Sequence, residues 1–331
     1  MSSLLAFAGA PSATVSLRIL LGGIQTGPLD LLGDALEATA VGLYLLGRNR
    51  LGRRGRSWPR WATAAFVAGV AVVWIAIGSG LAAYDEVNVT MHVVQHVLLM
   101  MVAPPLLALG KPVTLALQAS SRRRQVQILK VVHSFLATAL TFPIVAWAVY
   151  YTTMYAFFLT PIYPYSVAHP LFHDATHLWF LAVGLLYWSP IVGLDPSRWR
   201  MSFPARLGSL FLGMPFEAFL GISISELPKP IAPINTLANT HAAGDTFWIL
   251  GMMVTGLCLG VIVLQWFRQL DREAAREDRR TEKATAENRA RAQALGLGEL
   301  PEGVTVPWWR LDELERQHSG SPTRGRGEGR R

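Results

Sequence analysis

Apolar residues in this chain come in long blocks rather than in short amphipathic periods. Seven blocks stand out, at about 29–46, 61–81, 91–109, 128–151, 173–192, 207–227 and 247–267, separated by polar or basic connections. At 1.5 Å per residue, a helix of about 20 residues crosses a hydrocarbon core about 30 Å thick. The pattern predicts an all-α, polytopic membrane helix bundle of about seven transmembrane helices. The first block is the weakest, because Asp30, Asp34 and Glu37 occupy its early half and belong at the interface. In the third block Pro104 and Pro105 remove two backbone donors, which predicts a kink near its end.

Composition agrees with this reading: 51% of the 331 residues are hydrophobic, more than a soluble domain needs. The formal charge of +8 would suit nucleic acid if it formed one stripe, but the basic residues sit in the gaps between apolar blocks. No nucleic-acid partner is expected; membrane lipids are. Before residue 268 there are 16 Lys and Arg, and 14 of them fall in alternate connections, at 48–60, 111–130 and 198–206. The positive-inside rule makes those connections cytoplasmic. The N-terminus is then outside and the C-terminus inside.

Three segments follow. Residues 1–28 form an extracytoplasmic lead, and its apolar run MSSLLAFAGAPSA lacks a preceding Lys or Arg, so it is not read as a cleaved signal. Residues 29–267 form the transmembrane domain. Residues 268–331 hold 14 basic and 12 acidic residues in a helix-forming cytoplasmic run that ends in a disordered Gly- and Ser-rich stretch. Within this tail VPWWRLDELE is an apolar and acidic patch. The single cysteine, Cys258, excludes an intrachain disulfide or a paired-cysteine metal site.

The candidate chemistry lies in histidines. His92 and His96 open the third block, and His173 and His177, in HPLFHDATH, open the fifth. Spacing of i, i+4 places both rings of a pair on one helix face. The loop charges put these four, with His169 and His241, on the outer side of the membrane. Two pairs at one face can build a four-nitrogen site for zinc, copper, nickel or haem iron, and thioethers from Met91, Met100 or Met101 would favour cuprous copper. HDATH also resembles the HExxH zinc motif, but its shorter Asp174 is a poor general base, and a role in orienting a histidine suits it better. Glu217 lies near the middle of the sixth block, where a carboxylate needs a partner. His133 and His318 read as interfacial or solvated residues.

HVVQHVLLMMVAPPLLALGKPV is similar to the signature of the CtaG family of integral membrane assembly factors for caa-type cytochrome c oxidase. HPLFHDATHLWFLAVGLLYWSPIVGLDP and MPFEAFLG resemble its later blocks, and the likeness covers the seven-helix region without the tail. It implies a multi-pass protein of the bacterial plasma (inner) membrane that helps to build the oxidase, with oxidase subunits as partners and copper as cargo. It implies no enzymatic activity. His92, His96, His173 and His177 match the family pattern. Glu217 stands where a histidine is usual, Asn239 and Thr240 replace an Asp-Gln pair, and Met252 occupies the region of an acid usual soon after Trp248.

The expectation is therefore a metal site of His92, His96, His173 and His177, with His241 and Glu217 as second-tier ligands, holding copper and working by ligand exchange. Histidine must be neutral to bind, so affinity should fall below a pH of about 6.5. A membrane b-type haem electron-transfer protein and a copper or metal transporter are the alternatives, and a homo-oligomer is compatible with either.

Overall fold

Proline and short polar side chains set where the helices begin. In a computed structural model of the chain, the described residues are 23–25, 27–85, 87–298, 301 and 304–318; the expectations for 1–22 and for the Gly-rich end lie outside them. Helix α1, Pro28–Arg53, starts with proline at its first position and the Asp30 carboxylate accepting the Gly27 N–H at 2.9 Å. Helix α2 spans Arg60–Ile77. Asn88 caps α3, Val89–Val97, by accepting the Met91 N–H.

The third block then changes its winding. Leu98–Val102 form one π turn before α4, Ala103–Leu109. Pro104 and Pro105 cause this, since neither has an N–H to give the preceding turn. The carbonyl of Met100 instead accepts the indole N–H of Trp188 at 2.9 Å. A left-handed Lys111 (φ 53°) turns the chain into α5, Pro112–Ala119.

The fourth block departs from its expected bounds of 128–151. It divides into α6, Arg122–Val132, α7, Phe135–Leu140, and α8, Pro143–Leu159. His133 closes α6, Ser134 caps α7 by accepting the Ala137 N–H, and Pro143 starts α8. Hydropathy averages over such breaks, whereas the capping serine and the proline mark them. Next come α9, Ile162–Ala168; α10, Pro170–Val192; α11, Phe203–Ser225; and α12, Leu237–Ala294. His169 stands at the N-cap of α10 before Pro170, as the sequence suggests.

All regular elements among the described residues are helical, and five stretches are long and apolar enough to cross a membrane: Arg60–Ile77, Val89–Ala119, Pro170–Val192, Phe203–Ser225 and Leu237–Ala294. The chain is a multi-pass membrane protein. Helix α8 is shorter, and α1 exposes Leu29, Leu32, Leu36 and Leu43 along its length.

The residues fall into two units, Met1–Val263 and Leu264–Arg331. In the first, the buried core joins Val93, Met100, Tyr150, Phe157, Phe180 and Trp188 from α3 through α10. Lipid is as apolar as these side chains, so close packing rather than water exclusion holds them. Gly184 shows the tolerance: a Cβ there would lie 2.6 Å from Pro104 Cγ and 2.8 Å from the Met100 carbonyl. Glycine thereby lets α10 meet the π turn backbone to backbone.

In the second unit α13, Trp308–His318, packs back on the end of α12. Asn288 exchanges hydrogen bonds with the Val306 backbone at 2.7 and 2.9 Å, and Arg291 bonds Asp312 and Glu315 while Leu311 is buried. The VPWWRLDELE patch is thus a docked helix whose Trp308 and Trp309 remain exposed.

Candidate functional site

The face of α3 that carries His92 and His96 also carries Gln95, and all three are at most 1% exposed. Helix α10 presents His173, Thr176 and His177 at the same helical spacing, and these are buried too. Packing of α10 against the π turn brings the two faces together. The ring centroids are 4.2 Å apart for His92–His96, 5.1 Å for His92–His173, 4.6 Å for His173–His177 and 6.3 Å for His96–His177. All four histidines expected from the sequence therefore share one cluster.

A carboxylate joins them from the connection between α2 and α3. Asp85 Oδ2 lies 3.2 Å from His173 Nε2 and 3.8 Å from His177 Nε2, and it accepts the Gln95 amide at 2.8 Å. The same Gln95 amide nitrogen donates to the Ala76 carbonyl at 2.9 Å, so it ties the end of α2 to the site. Ligand atoms of Asp85, His173 and His177 all lie within 4.8 Å of one another. Burial pushes the Asp85 carboxyl up, but the His173 hydrogen bond, the two nearby imidazoles and the Gln95 amide hold it below the usual carboxylate range. Asp85 supplies an anion to an otherwise neutral ring cluster.

The site is walled by aromatic rings. Phe180 lies 4.0 Å from His96, Phe157 4.9 Å from His96, and Tyr163 4.9 Å from His92, all as centroid separations. Within these walls the imidazoles are undersatisfied. Neither ring nitrogen of His92 or His96 has a hydrogen-bond partner among the described residues, nor does Nε2 of His177. The Asp85 backbone also approaches the His92 ring. Each such buried group costs about 1–3 kcal/mol. A cation bound between neutral imidazoles and a carboxylate would satisfy them together, and this donor set suits divalent copper or zinc.

The other expected ligands have different partners. His241 is half-buried, and its Nε2 donates to the Leu227 carbonyl at 2.9 Å. Glu217 is buried on α11 and accepts from Tyr151 at 3.2 Å and from Thr255 at 3.0 and 3.1 Å. Asp174 is exposed, because one residue beyond His173 is about 100° further round the helix. The orienting acid is Asp85 instead. Its signal in the sequence is slight, an acid seven positions before His92 in the connection between two apolar blocks.

Asn239 fixes the N-terminal end of α3. Its side chain accepts the Val89 N–H at 2.9 Å and donates to Asn88 at 2.9 Å and Thr90 at 3.0 Å. The position that departs from the family pattern thus clamps α12 to the helix bearing His92 and His96.

Comparison with known proteins points the same way as the sequence motifs. The chain is 32% identical over 292 residues to an uncharacterized protein of Mycobacterium bovis and, equally, to one of Mycobacterium tuberculosis, and 30% identical over 289 residues to one of Mycobacterium leprae. Each alignment takes in 82% of this chain but 44% of the relative, so the chain spans under half the length of these curated proteins. No solved structure matches it. The profile described as cytochrome c oxidase caa3 assembly factor matches residues 42–269, which include the whole histidine cluster and Asp85, and the chain belongs to that family.

Proposed function

We propose that the protein assists assembly of a haem-copper cytochrome c oxidase in the bacterial plasma membrane by holding copper at His92, His96, His173 and His177, with Asp85 as anionic ligand. The observation that carries this reading is a cluster of four buried imidazoles, two of them within 3.8 Å of the Asp85 carboxylate, in which the ring nitrogens of His92 and His96 have no hydrogen-bond partner among the described residues. In a hydrophobic bundle such a cluster is costly unless something binds to it. Copper is preferred over zinc because the family's stated task is assembly of cytochrome c oxidase. The metal would move by ligand exchange between this cluster and an oxidase subunit. Glu217 and His241 would support the bundle rather than touch the ion, given their present partners.

Packing favours a compact ion over haem. The space between the His pairs is bounded by Phe157, Phe180 and Tyr163, and rings 4.2–6.3 Å apart leave no slot for a flat macrocycle. The membrane arrangement in this proposal has seven spans, α1 and α8 included, with the N-terminus outside, the C-terminus inside and the histidine cluster toward the outer face. The test is copper content of the purified full-length protein under copper-replete conditions, with His92→Ala/His96→Ala beside it. Wild type should carry copper and the variant should lose most of it, with no strong Soret band in either. Equal copper in both, or none in wild type, rejects the reading.

A further inference from the structure

The cytoplasm-assigned corner of the fold carries a feature that the metal site does not use. From Gly47 to Arg60 and from Gly110 to Phe142 there are 11 Lys and Arg and no Asp or Glu. The structure draws the two stretches together: Arg54 donates to the Gln118 carbonyl at 3.1 Å, beside the corner where α5 turns into α6. Gln125 fixes that corner by donating to the Leu117 and Ser120 carbonyls at 3.0 and 3.4 Å. Arg122, Arg123 and Arg124 then project from the first turn of α6, all exposed.

An apolar groove of about 470 Å³ adjoins this basic corner. Pro112, Val113 and Ala116 of α5 face Ile128, Val131 and Val132 of α6, and Gln127 is the one polar side chain in the lining. Val131 of this lining is 70% exposed, and just beyond the groove Phe135 and Leu136 are 90% and 65% exposed. A segment with cations in its first turn and bare aliphatic and aromatic groups further along, on α6 and α7, suits the plane of the membrane interface. A ligand suited to both parts has a negatively charged head and a hydrocarbon chain.

We propose that the α5–α6 corner is a binding site for one anionic glycerophospholipid. Its phosphate sits among Arg122, Arg123, Arg124 and Arg54, and an acyl chain lies in the groove along α6. Neither stretch contains an acid, and Asp195, which accepts from Val113 and Thr114 at the far end of α5 from the arginines, is already engaged there. The headgroup preference is therefore electrostatic, and the groove makes the ligand a lipid rather than free phosphate. This inference is independent of the metal reading.

The test uses the full-length protein in a neutral detergent, offered equal amounts of phosphatidylglycerol and phosphatidylcholine and read by native mass spectrometry. Wild type should retain phosphatidylglycerol with a preference of at least about tenfold, which two of the four arginines would suffice to give. Arg122→Gln/Arg123→Gln/Arg124→Gln should reduce the preference to near parity, and Ala116→Trp, which fills the groove, should reduce retention with the arginines intact. Inorganic phosphate at the same concentration should leave the bound lipid in place. Equal retention of the two lipids by wild type, an undiminished preference in the triple variant, or displacement by phosphate alone would overturn the proposal. Surface arginines are not needed for folding, so the triple variant decides the matter even if Ala116→Trp is unstable.

Discussion

At the scale of single residues, Asp85 changes what the histidines can do. Four neutral rings offer lone pairs but no charge, and a buried cation needs charge nearby. Asp85 provides it on Oδ2, where His173 and Gln95 also converge. Asp85→Asn keeps the volume and much of the hydrogen bonding and removes only the charge. We expect metal affinity to fall at least about 10–100-fold, the range already seen when a group that only orients metal ligands is lost. Competition against a chelator of known affinity measures it, with circular dichroism to check the fold. Affinity equal to wild type would remove Asp85 from the site. The four histidines were legible because spacing and loop charge place them without knowledge of the fold. Asp85 was not, because an acid beside Glu86 in a connection between apolar blocks has the same signature as an interfacial residue. Only the contact of the Asp85 carboxylate with His173 of α10 distinguishes them.

At the scale of elements, the decisive piece is the short π turn between the histidine pair and the two prolines. It sets the face that α3 shows to α10, and it survives because Trp188 takes the Met100 carbonyl that the prolines leave without a helical donor. Trp188→Phe should cost about 1–3 kcal/mol through that unsatisfied carbonyl. In the background Pro104→Ala/Pro105→Ala, where backbone N–H groups return, the same change should cost clearly less. Thermal unfolding in detergent across the four proteins gives the coupling, and additive losses would show that the indole acts through packing alone. Pro104 and Pro105 announce a disturbed helix to any reader of the sequence, but whether it kinks or rewinds depends on a donor 84 positions further along. The division of the fourth block is the reverse case. Ser134 and Pro143 mark the α7 and α8 starts locally, and averaged hydropathy hides them.

At the scale of the whole molecule, side and span number are one question. The basic connections at 48–60, 111–130 and 198–206 can share a side only if the chain crosses twice between each pair. Between the second and third, one crossing is α10 and the other must be α8. At 17 residues α8 is about 25 Å long, short of the usual core, so it spans only with local thinning or with flanking residues reaching the interface. Pro143 and the six-residue α7 let the chain begin that crossing from the interface rather than from bulk water. Fusion reporters decide the matter. Alkaline phosphatase placed after Lys229 should be active and green fluorescent protein after Arg268 should fluoresce, while the reverse exchange of reporters should be silent. An inactive phosphatase at Lys229 would put the connection between α11 and α12 on the cytoplasmic side. The histidine cluster near the same end of the bundle would then face the cytoplasm, and copper would have to be taken from inside the cell rather than from the outer face.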